Sequence, residues 1–220
     1  MQDIEGRRPL KVRTSRYSRK IARWLSKKDI TPNKISIYSL IFATLSALCL
    51  LALPFSSGAG SWLLPVLAAL FIQCRLLCNL FDGMVAVEGG KGTASGELFN
   101  DIPDRIADPL ILVAAGYATM VVSLGSSLGW CAGLLAVMTA YVRTLSVSIG
   151  APTDFRGPMA KQHRMALMTV ACLLTAIEPF LWPQGYILLV ALLVVITGSL
   201  VTVYNRIRAA YIYLEQNGDA

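Results

Sequence analysis

The sequence predicts an all-α polytopic membrane protein in which six transmembrane helices follow an amphipathic helix lying at the membrane interface. Three observations carry that prediction. The 220 residues are 55% hydrophobic and only 15% charged, where soluble domains carry about 25% charged residues. The uncharged residues gather in six blocks, each close to the length of about 20 apolar residues that a bilayer crossing requires. The basic residues sit beside those blocks on alternate loops. A mean hydropathy of +0.58 excludes both a soluble domain and a disordered chain. The formal charge of +7 does not point to nucleic acid, because the positive-inside pattern of membrane loops absorbs it.

Residues 1–33 read as a cytoplasmic basic segment. Within it Tyr17, Ile21, Trp24 and Leu25 recur at helical spacing among Arg16, Arg19, Lys20, Arg23, Lys27 and Lys28. This is the pattern of a helix lying in the lipid headgroup layer, and a solvated basic arm is the alternative. The basic stretch is far longer than the n-region of a signal peptide, so none is expected. Thr31 is placed to cap the first span, with Pro32 at its first helical position.

The apolar blocks run over 35–54, 61–81, 98–122, 128–149, 164–182 and 184–205, and with their loops make one domain over 34–213, followed by a cytoplasmic tail over 214–220. Loops 54–61, 123–129 and 178–184 contain no Lys or Arg. The opposite side receives Arg7, Arg8, Lys11, Arg13 and the cations of the basic segment, then Lys34, Lys91, Arg156, Lys161, Arg164, Arg206 and Arg208. Both ends of the chain and the second and fourth loops are therefore expected in the cytoplasm, and the short loops suit an inner membrane. Cys49, Cys74, Cys78, Cys131 and Cys172 all fall in or beside apolar blocks and read as reduced thiols. Cys74 and Cys78 share a helical face, but neither His nor a further Cys completes a metal site, so helix packing is their expected role.

Ionisable groups within membrane spans are costly and mark functional sites. Here they concentrate where the second span ends, at Asn79 and Asp82, and where the third begins, at Asn100, Asp101, Asp104, Arg105 and Asp108. Asn79 and Asp82 are three apart and Asn100 and Asp104 four apart, so each pair shares a helix face. Two antiparallel helices joined on the cytoplasmic side bring the four oxygen-bearing side chains together. Such oxygens suit Mg²⁺ or Mn²⁺, whose coordination a phosphate-bearing substrate completes, and this implies metal-assisted phosphoryl chemistry. Gly83 and Gly96 leave room for a ligand to approach the backbone. The competing reading makes Asp82 and Asp104 structural ion-pair partners of Arg75 and Arg105. The glycine-rich run 89–96 lacks the Gly-Lys-Ser/Thr ending of a P-loop.

The stretch from Asn79 to Asp104 resembles the CDP-alcohol phosphotransferase signature, D-x2-D-G-x2-A-R-x8-G-x3-D-x3-D, with every spacing kept at positions 79, 82, 83, 86, 87, 96, 100 and 104. The six-span layout, the interfacial helix and the Thr31-Pro32-Asn33 entry are similar to that family as well. The resemblance implies a membrane enzyme of phospholipid synthesis, usually a homodimer. Such an enzyme moves a phosphatidyl or other phosphoalcohol group from a CDP-linked donor, CDP-diacylglycerol above all, to an alcohol acceptor and releases CMP. It implies that Asn79, Asp82, Asn100 and Asp104 hold divalent metal, that Asp104 is also the general base, and that Gly83, Ala86, Thr93 and Gly96 line the CDP pocket.

Three positions depart from the signature: Asn79 and Asn100 stand where it has Asp, and Val87 where it has Arg. Asn keeps a carbonyl oxygen for a metal, but two negative charges leave the site, and with them cation affinity or a second metal. A non-catalytic lipid- or nucleotide-binding homologue with a weakened metal site is therefore the rival reading. Glu88, Glu97, Asp101 and Asp108 are near enough in sequence to restore charge, and Lys91 to replace the missing arginine. Glu97, Asp101, Asp104 and Asp108 follow one helical stripe, which leaves open whether they face the metal or pair with Arg105. Arg143 closes the fourth span and Lys161 and Arg164 open the fifth, an anion site that the resemblance assigns to a phosphorylated acceptor or lipid phosphate. The single His163 reads as an interface residue rather than a catalyst.

Overall fold

The computed structural model describes residues 16–28, 30–88, 90–91, 93 and 95–217, of which Tyr17, Arg19, Lys27, Glu88 and Glu97 are described for their backbone alone. The basic residues Arg7, Arg8, Lys11 and Arg13 lie outside this set. The described residues form seven α-helices and no strand: α1 (Arg16–Lys27), α2 (Pro32–Ala52), α3 (Ala59–Glu88), α4 (Gly96–Ala118), α5 (Gly125–Ser148), α6 (Lys161–Thr175) and α7 (Tyr186–Asn217). Four of them, α2, α3, α5 and α7, are long and apolar enough to cross a membrane. The blocks expected over 98–122 and 164–182 do not reach that standard. The helix α4 carries Asp101, Asp104, Arg105 and Asp108, and α6 has 15 residues.

The short helix α1 packs across the far end of α3. Its Ala22 is buried, and Leu25 packs with Ile30, Ile35, Met84 and Val85, whereas Ile21 and Trp24 remain exposed. The apolar residues of this helix thus divide between two surfaces, one protein and one open. Lys28 sits over the Trp24 ring at 4.7 Å. Thr31 caps α2 as the sequence indicates: its backbone is extended, its Oγ1 accepts from Lys34 N at 3.4 Å, and Pro32 opens the helix.

Block ends and helix ends differ where a polar group or a proline decides. The second block was expected to stop at residue 81, but α3 continues to Glu88, so Asn79, Asp82 and Gly83 lie on uninterrupted helix. At 30 residues it rises about 45 Å, more than the hydrocarbon thickness of a bilayer. Pro65 lies inside α3 and has no N–H for the carbonyl of Ser61. Gln184 Nε2 supplies that donor instead at 2.7 Å, and also bonds Thr175 O at 3.1 Å at the end of α6. The fifth block was expected to reach residue 182, but α6 ends at Thr175. After it the carboxylate of buried Glu178 accepts from Gly185 N at 2.9 Å and Ile187 N at 2.8 Å. Glu178 thereby satisfies donors at the start of α7, where an acidic group is favoured. The helix α7 runs past residue 213 to Asn217.

The core is built from small residues that let backbones approach, as is common between membrane helices. Ala43 and Ala47 of α2, Ala68 and Ala69 of α3, and Ala107, Ala114 and Ala115 of α4 are all buried in it. Gly125, Gly129 and Gly133 line one face of α5 against α4. A Cβ at Gly129 would stand 2.9 Å from the Gly116 Cα, so only glycine fits there. Ser46 Oγ bonds Ala68 O at 3.0 Å and Gln73 Nε2 bonds Thr169 Oγ1 at 2.8 Å, joining α2 to α3 and α3 to α6. On the outside, α6 and α7 share an apolar groove of about 490 Å³ lined by residues that include Leu167, Leu174, Tyr186 and Val190.

Replacing Gly129 by valine forces α4 and α5 apart and is expected to cost at least about 1–3 kcal/mol. Its thermal unfolding midpoint in detergent should fall, while Leu134→Val, on the exposed side of the same helix, leaves that midpoint within experimental error.

Candidate active site

At the end of the bundle where α3 finishes and α4 and α6 begin, a pocket of about 210 Å³ opens between α3, α4, α5, α6 and α7. Asn79, Asn100, Asp104, Arg143, Lys161 and Arg164 are among the residues that line it, together with Thr139, Phe155 and Arg206. Five of the residues expected from the signature or from the anion site of α6 are therefore gathered in one cavity with Arg143. Asp82 lies beside that group, within electrostatic reach of Asp104 and Lys161.

Asp104 is nearly buried, and both of its oxygens are engaged. Oδ1 accepts from Arg75 Nη2 at 3.1 Å and from Asn79 Nδ2 at 3.0 Å, and Oδ2 pairs with the ammonium of Lys161. One turn further along α4, Asp108 takes Arg75 Nη2 on Oδ1 at 2.6 Å and Arg164 Nη2 on Oδ2 at 2.8 Å. Asp82 accepts from Ser36 Oγ at 2.8 Å and from Gly83 N at 2.5 Å. Asp101 is more open and takes Arg105 at 2.7 Å and Arg143 at 3.3 Å. Of the structural ion pairs weighed from the sequence, Arg75 does hold Asp104, and Asp108 with it, whereas Arg105 holds Asp101 and Asp82 is held by a hydroxyl and a backbone N–H.

The wall opposite the carboxylates is positioned by main-chain contacts. Arg206 of α7 donates to Thr139 O at 2.5 Å and to Arg156 O at 3.0 Å. Arg164 donates to Met159 O at 2.8 Å and to Thr139 Oγ1 at 3.1 Å. These bonds fix the connection between α5 and α6, and so the place of Lys161. In the same connection Asp154 accepts from Arg156 N at 2.8 Å and from Arg156 Nε at 3.0 Å, and the side-chain bond with the carboxylate's charge holds the exposed Arg156 guanidinium above its ordinary pKa. Arg143 also lies against the Phe155 ring, 5.6 Å from its centroid.

Gly83 and Ala86 lie half-buried on the last turns of α3, and Thr93 and Gly96 lead into α4. Among the described residues, a Cβ on Gly96 would meet nothing closer than Thr93 Oγ1 at 3.7 Å. Lys91, considered from the sequence as a stand-in for the missing arginine, instead donates to Ser26 O of α1 at 2.8 Å. His163 is exposed and its Nδ1 lies 3.0 Å from Pro158 O. The side chains of Glu88 and Glu97 fall outside those described. All five cysteines are free, and among the described residues no three His, Cys, Asp or Glu side chains gather as a metal-binding group.

Hard divalent cations take oxygen donors, and two carboxylates with two amide oxygens, all borne on two helices, are of the right chemistry for one such ion. Of the four expected ligands, Asp104, Asn79 and Asn100 line the pocket and Asp82 stands outside its lining, and Lys161 occupies Oδ2 of Asp104. Lys161 has a flexible stem and a side chain 26% exposed, which lets it turn. Sequence reasoning missed three supporting residues: Ser36, Thr139 and Arg206. In the sequence Arg206 reads only as one of the cations that follow the last apolar block on the cytoplasmic side. Ser36 and Thr139 carried no signal, since buried hydroxyls in membrane helices commonly bond their own helix.

No family model matches the chain. A phosphatidylinositol phosphate synthase from Streptomyces avermitilis is 24% identical to it over 192 residues, which cover 84% of this chain and 74% of that one. Among solved structures, the phosphatidylinositol phosphate synthase of Mycobacterium tuberculosis with CDP-DAG bound matches with a TM-score of 0.73 at 19% identity, covering 90% of this chain and 94% of that chain. The same enzyme in complex with manganese and citrate matches with a TM-score of 0.72 at 18% identity, covering 88% of both chains. The chain therefore shares the fold of these synthases.

Asp108→Ala leaves Arg75 and Arg164 buried without their shared carboxylate, and is expected to cost about 3–5 kcal/mol of stability. Asp101→Asn, in a more open pair, is expected to cost less than about 1 kcal/mol. Chemical denaturation of the two variants in the same detergent measures the difference.

Proposed function

We propose that the chain is a multi-pass membrane transferase of phospholipid synthesis. It moves a phosphatidyl group from CDP-diacylglycerol to the hydroxyl of an alcohol acceptor and releases CMP, with a divalent cation at Asp82, Asp104, Asn79 and Asn100. The observation that carries this reading is Asp104 at the edge of a pocket whose other walls are Lys161, Arg164, Arg143 and Arg206. A carboxylate able to receive a proton thus stands beside cations able to receive phosphate. The similarity to phosphatidylinositol phosphate synthases, one of them solved with CDP-DAG and with manganese and citrate, supports the donor and the metal. The cluster of cations further favours an acceptor that itself bears a phosphate.

In this reading all six helices α2–α7 cross an inner membrane, with α1 lying on its cytoplasmic surface, Ile21 and Trp24 turned to lipid, and both ends of the chain in the cytoplasm. The working unit is a homodimer, as the resemblance implies. Gly83, Ala86, Thr93 and Gly96 flank the nucleotide, the start of α4 giving its phosphates access to backbone N–H groups.

The chemistry assigned to the residues is as follows. The acceptor hydroxyl oxygen attacks the phosphorus that bears the diacylglycerol, the bond from that phosphorus to the CMP oxygen breaks, and the hydroxyl proton passes to Asp104. CMP leaves as an anion. Arrival of substrate phosphate draws Lys161 away from Asp104, which frees Oδ2 as donor phosphate replaces the carboxylate on the ammonium. Arg164 stays with Asp108 and keeps its charge at the pocket wall, and Arg143 moves between Asp101 and the acceptor. A divalent cation would supply charge neutralisation of the pyrophosphate.

The test is CMP release by the full chain in nanodiscs with CDP-diacylglycerol, Mg²⁺ or Mn²⁺, and a pool of free and phosphorylated alcohols. Chelator-sensitive release is expected, with Asp104→Asn reducing turnover by about 10²–10⁴-fold while leaving binding of the CDP-lipid in place. Turnover retained by Asp104→Asn overturns the role of that carboxylate. No release with any acceptor, alongside intact binding of the CDP-lipid, makes the chain a non-catalytic binding protein.

A further inference from the structure

The helix α7 marks its own depth in a bilayer. From Tyr186 to Asn205 it holds no Asp, Glu, Lys or Arg, and that stretch rises about 30 Å, the hydrocarbon thickness of a bilayer. Exposed tyrosines stand near both of its ends, Tyr186 and Tyr204, as amphipathic rings do at the two membrane interfaces. Arg208 follows about 6 Å beyond Tyr204, in the layer that lipid phosphates occupy.

At that level α7 and the connection between α5 and α6 enclose a recess of about 330 Å³, lined by Arg156, Asn205, Arg208, Ala209 and Ile212. The four residues of α7 follow one helical face, and Arg156 closes the recess from the connection. The Arg156 side chain is 74% exposed and uses only Nε, on the Asp154 carboxylate at 3.0 and 3.1 Å. Among the described residues its two terminal nitrogens, the Arg208 guanidinium and the Asn205 amide make no hydrogen bond. Of the acidic residues on these two elements, Asp154 is paired with Arg156, and Glu215 lies seven residues along α7 from Arg208, about 10 Å further from the bilayer. Two arginines against one carboxylate leave the recess positive. A cation that only fixes topology needs no partner, yet here two guanidinium forks, which match phosphate oxygens, share one recess with an amide. Tyr204 and Tyr211, four before and three after Arg208 on the same face, are open to lipid.

We propose that this recess holds the headgroup phosphate of an anionic phospholipid, as a second lipid site outside the transferase pocket. Its depth selects a lipid over a free phosphate, and Ala209 and Ile212 give the glycerol backbone an apolar floor. A choline headgroup would bring an ammonium towards the two arginines, so an anionic headgroup is preferred. The site stands back to back with the pocket: Phe155 and Arg206 line the pocket, their chain neighbours Arg156 and Asn205 line the recess, and no residue is shared. Arg206 Nε bonds Arg156 O at 3.0 Å, and Met159 N donates to Thr202 Oγ1 at 3.0 Å. Gly157, at φ +123°, lies so close to α7 that a Cβ there would run into the Thr202 side chain. The connection that presents Lys161 is therefore seated on the part of α7 that holds the lipid.

The experiment titrates the full chain in detergent with dioleoylphosphatidylglycerol or dioleoylphosphatidylcholine and counts lipid adducts by native mass spectrometry. One tight phosphatidylglycerol adduct per chain is expected, bound about tenfold or more tighter than phosphatidylcholine. Arg156→Gln together with Arg208→Gln should weaken it by about tenfold or more, as should Ala209→Phe, which fills the recess and keeps both charges. Lys161→Gln, in the transferase pocket, should leave the adduct unchanged. Equal binding of the two lipids overturns the proposal, as does a tight adduct that survives the paired arginine change or disappears with Lys161→Gln. Displacement of the adduct by millimolar inorganic phosphate makes the recess a site for free anions and overturns the lipid assignment. Thermal unfolding midpoints of the variants separate loss of the site from loss of the fold. Where the paired change lowers the midpoint, Arg208→Gln alone should lose the adduct and Arg208→Lys, which keeps the charge, should retain it; equal retention by both overturns the proposal. Occupancy of this recess does not depend on transferase activity, so the result stands whether or not the chain releases CMP.

Discussion

Asp108 holds the bundle's charged layer together. Its two oxygens receive a guanidinium from α3 and another from α6, so three helices meet at one carboxylate that has almost no contact with solvent. In a low-dielectric interior such an arrangement holds only while each charge is matched, and removal of any member leaves its partners stranded. Much of the polar network around the pocket connects back to this point. Arg75 reaches on to Asp104, Asp104 to Asn79 and Lys161, and Arg164 to Thr139 and the carbonyl of Met159. The result is a pocket whose carboxylates and cations are held in place before any ligand arrives, which is the condition for electrostatic work on a phosphate.

Two further devices keep that layer in register. The glycine face of α5 brings its backbone against α4, so Thr139 and Arg143 come to the pocket at a separation that side-chain packing alone would not permit. At the other end of the molecule Glu178 and Gln184 satisfy the ends of α3, α6 and α7, including the carbonyl that Pro65 leaves without its donor. Polar groups are thus used in pairs of layers, one at each end, with small apolar residues between them. The arrangement suits a membrane environment, where the hydrophobic effect gives little reason for helices to associate and hydrogen bonds and close packing do so.

Much of this was legible in the residues themselves. The helical fold and the order of the helices followed from the apolar blocks, the cap at Thr31 from its neighbours, and the meeting of Asn79 with Asp104 from spacing that put each on one face of its helix. Helix ends were less legible, because hydropathy marks where a chain becomes polar and not where its hydrogen bonds stop. The helix α3 carried on through Asp82 for that reason, and α6 stopped early at a polar cap that hydropathy does not register. The ion pairs were the least legible. Arg75 was visible as an intramembrane charge, yet its choice of Asp104 and Asp108 over Asp82 depends on the rotation of α3 against α4. Lys91 shows the same limit from the other side: its place in a glycine-rich loop suggested phosphate, and the nearness of α1, a tertiary fact, gave it a carbonyl instead.

The shortness of α6 also shapes the surroundings of the site. Fifteen residues rise only about 22 Å, against a hydrocarbon thickness of about 30 Å, while its neighbour α7 at 32 residues rises about 48 Å. Lipids along the groove that these two helices share meet walls of unequal height, and a bilayer meets such a mismatch by thinning or by tilting its chains. Lys161 and Arg164 stand at the foot of the lower wall. A bilayer crossed by both helices would be thinnest beside α6, the helix that brings Lys161 and Arg164 to the pocket.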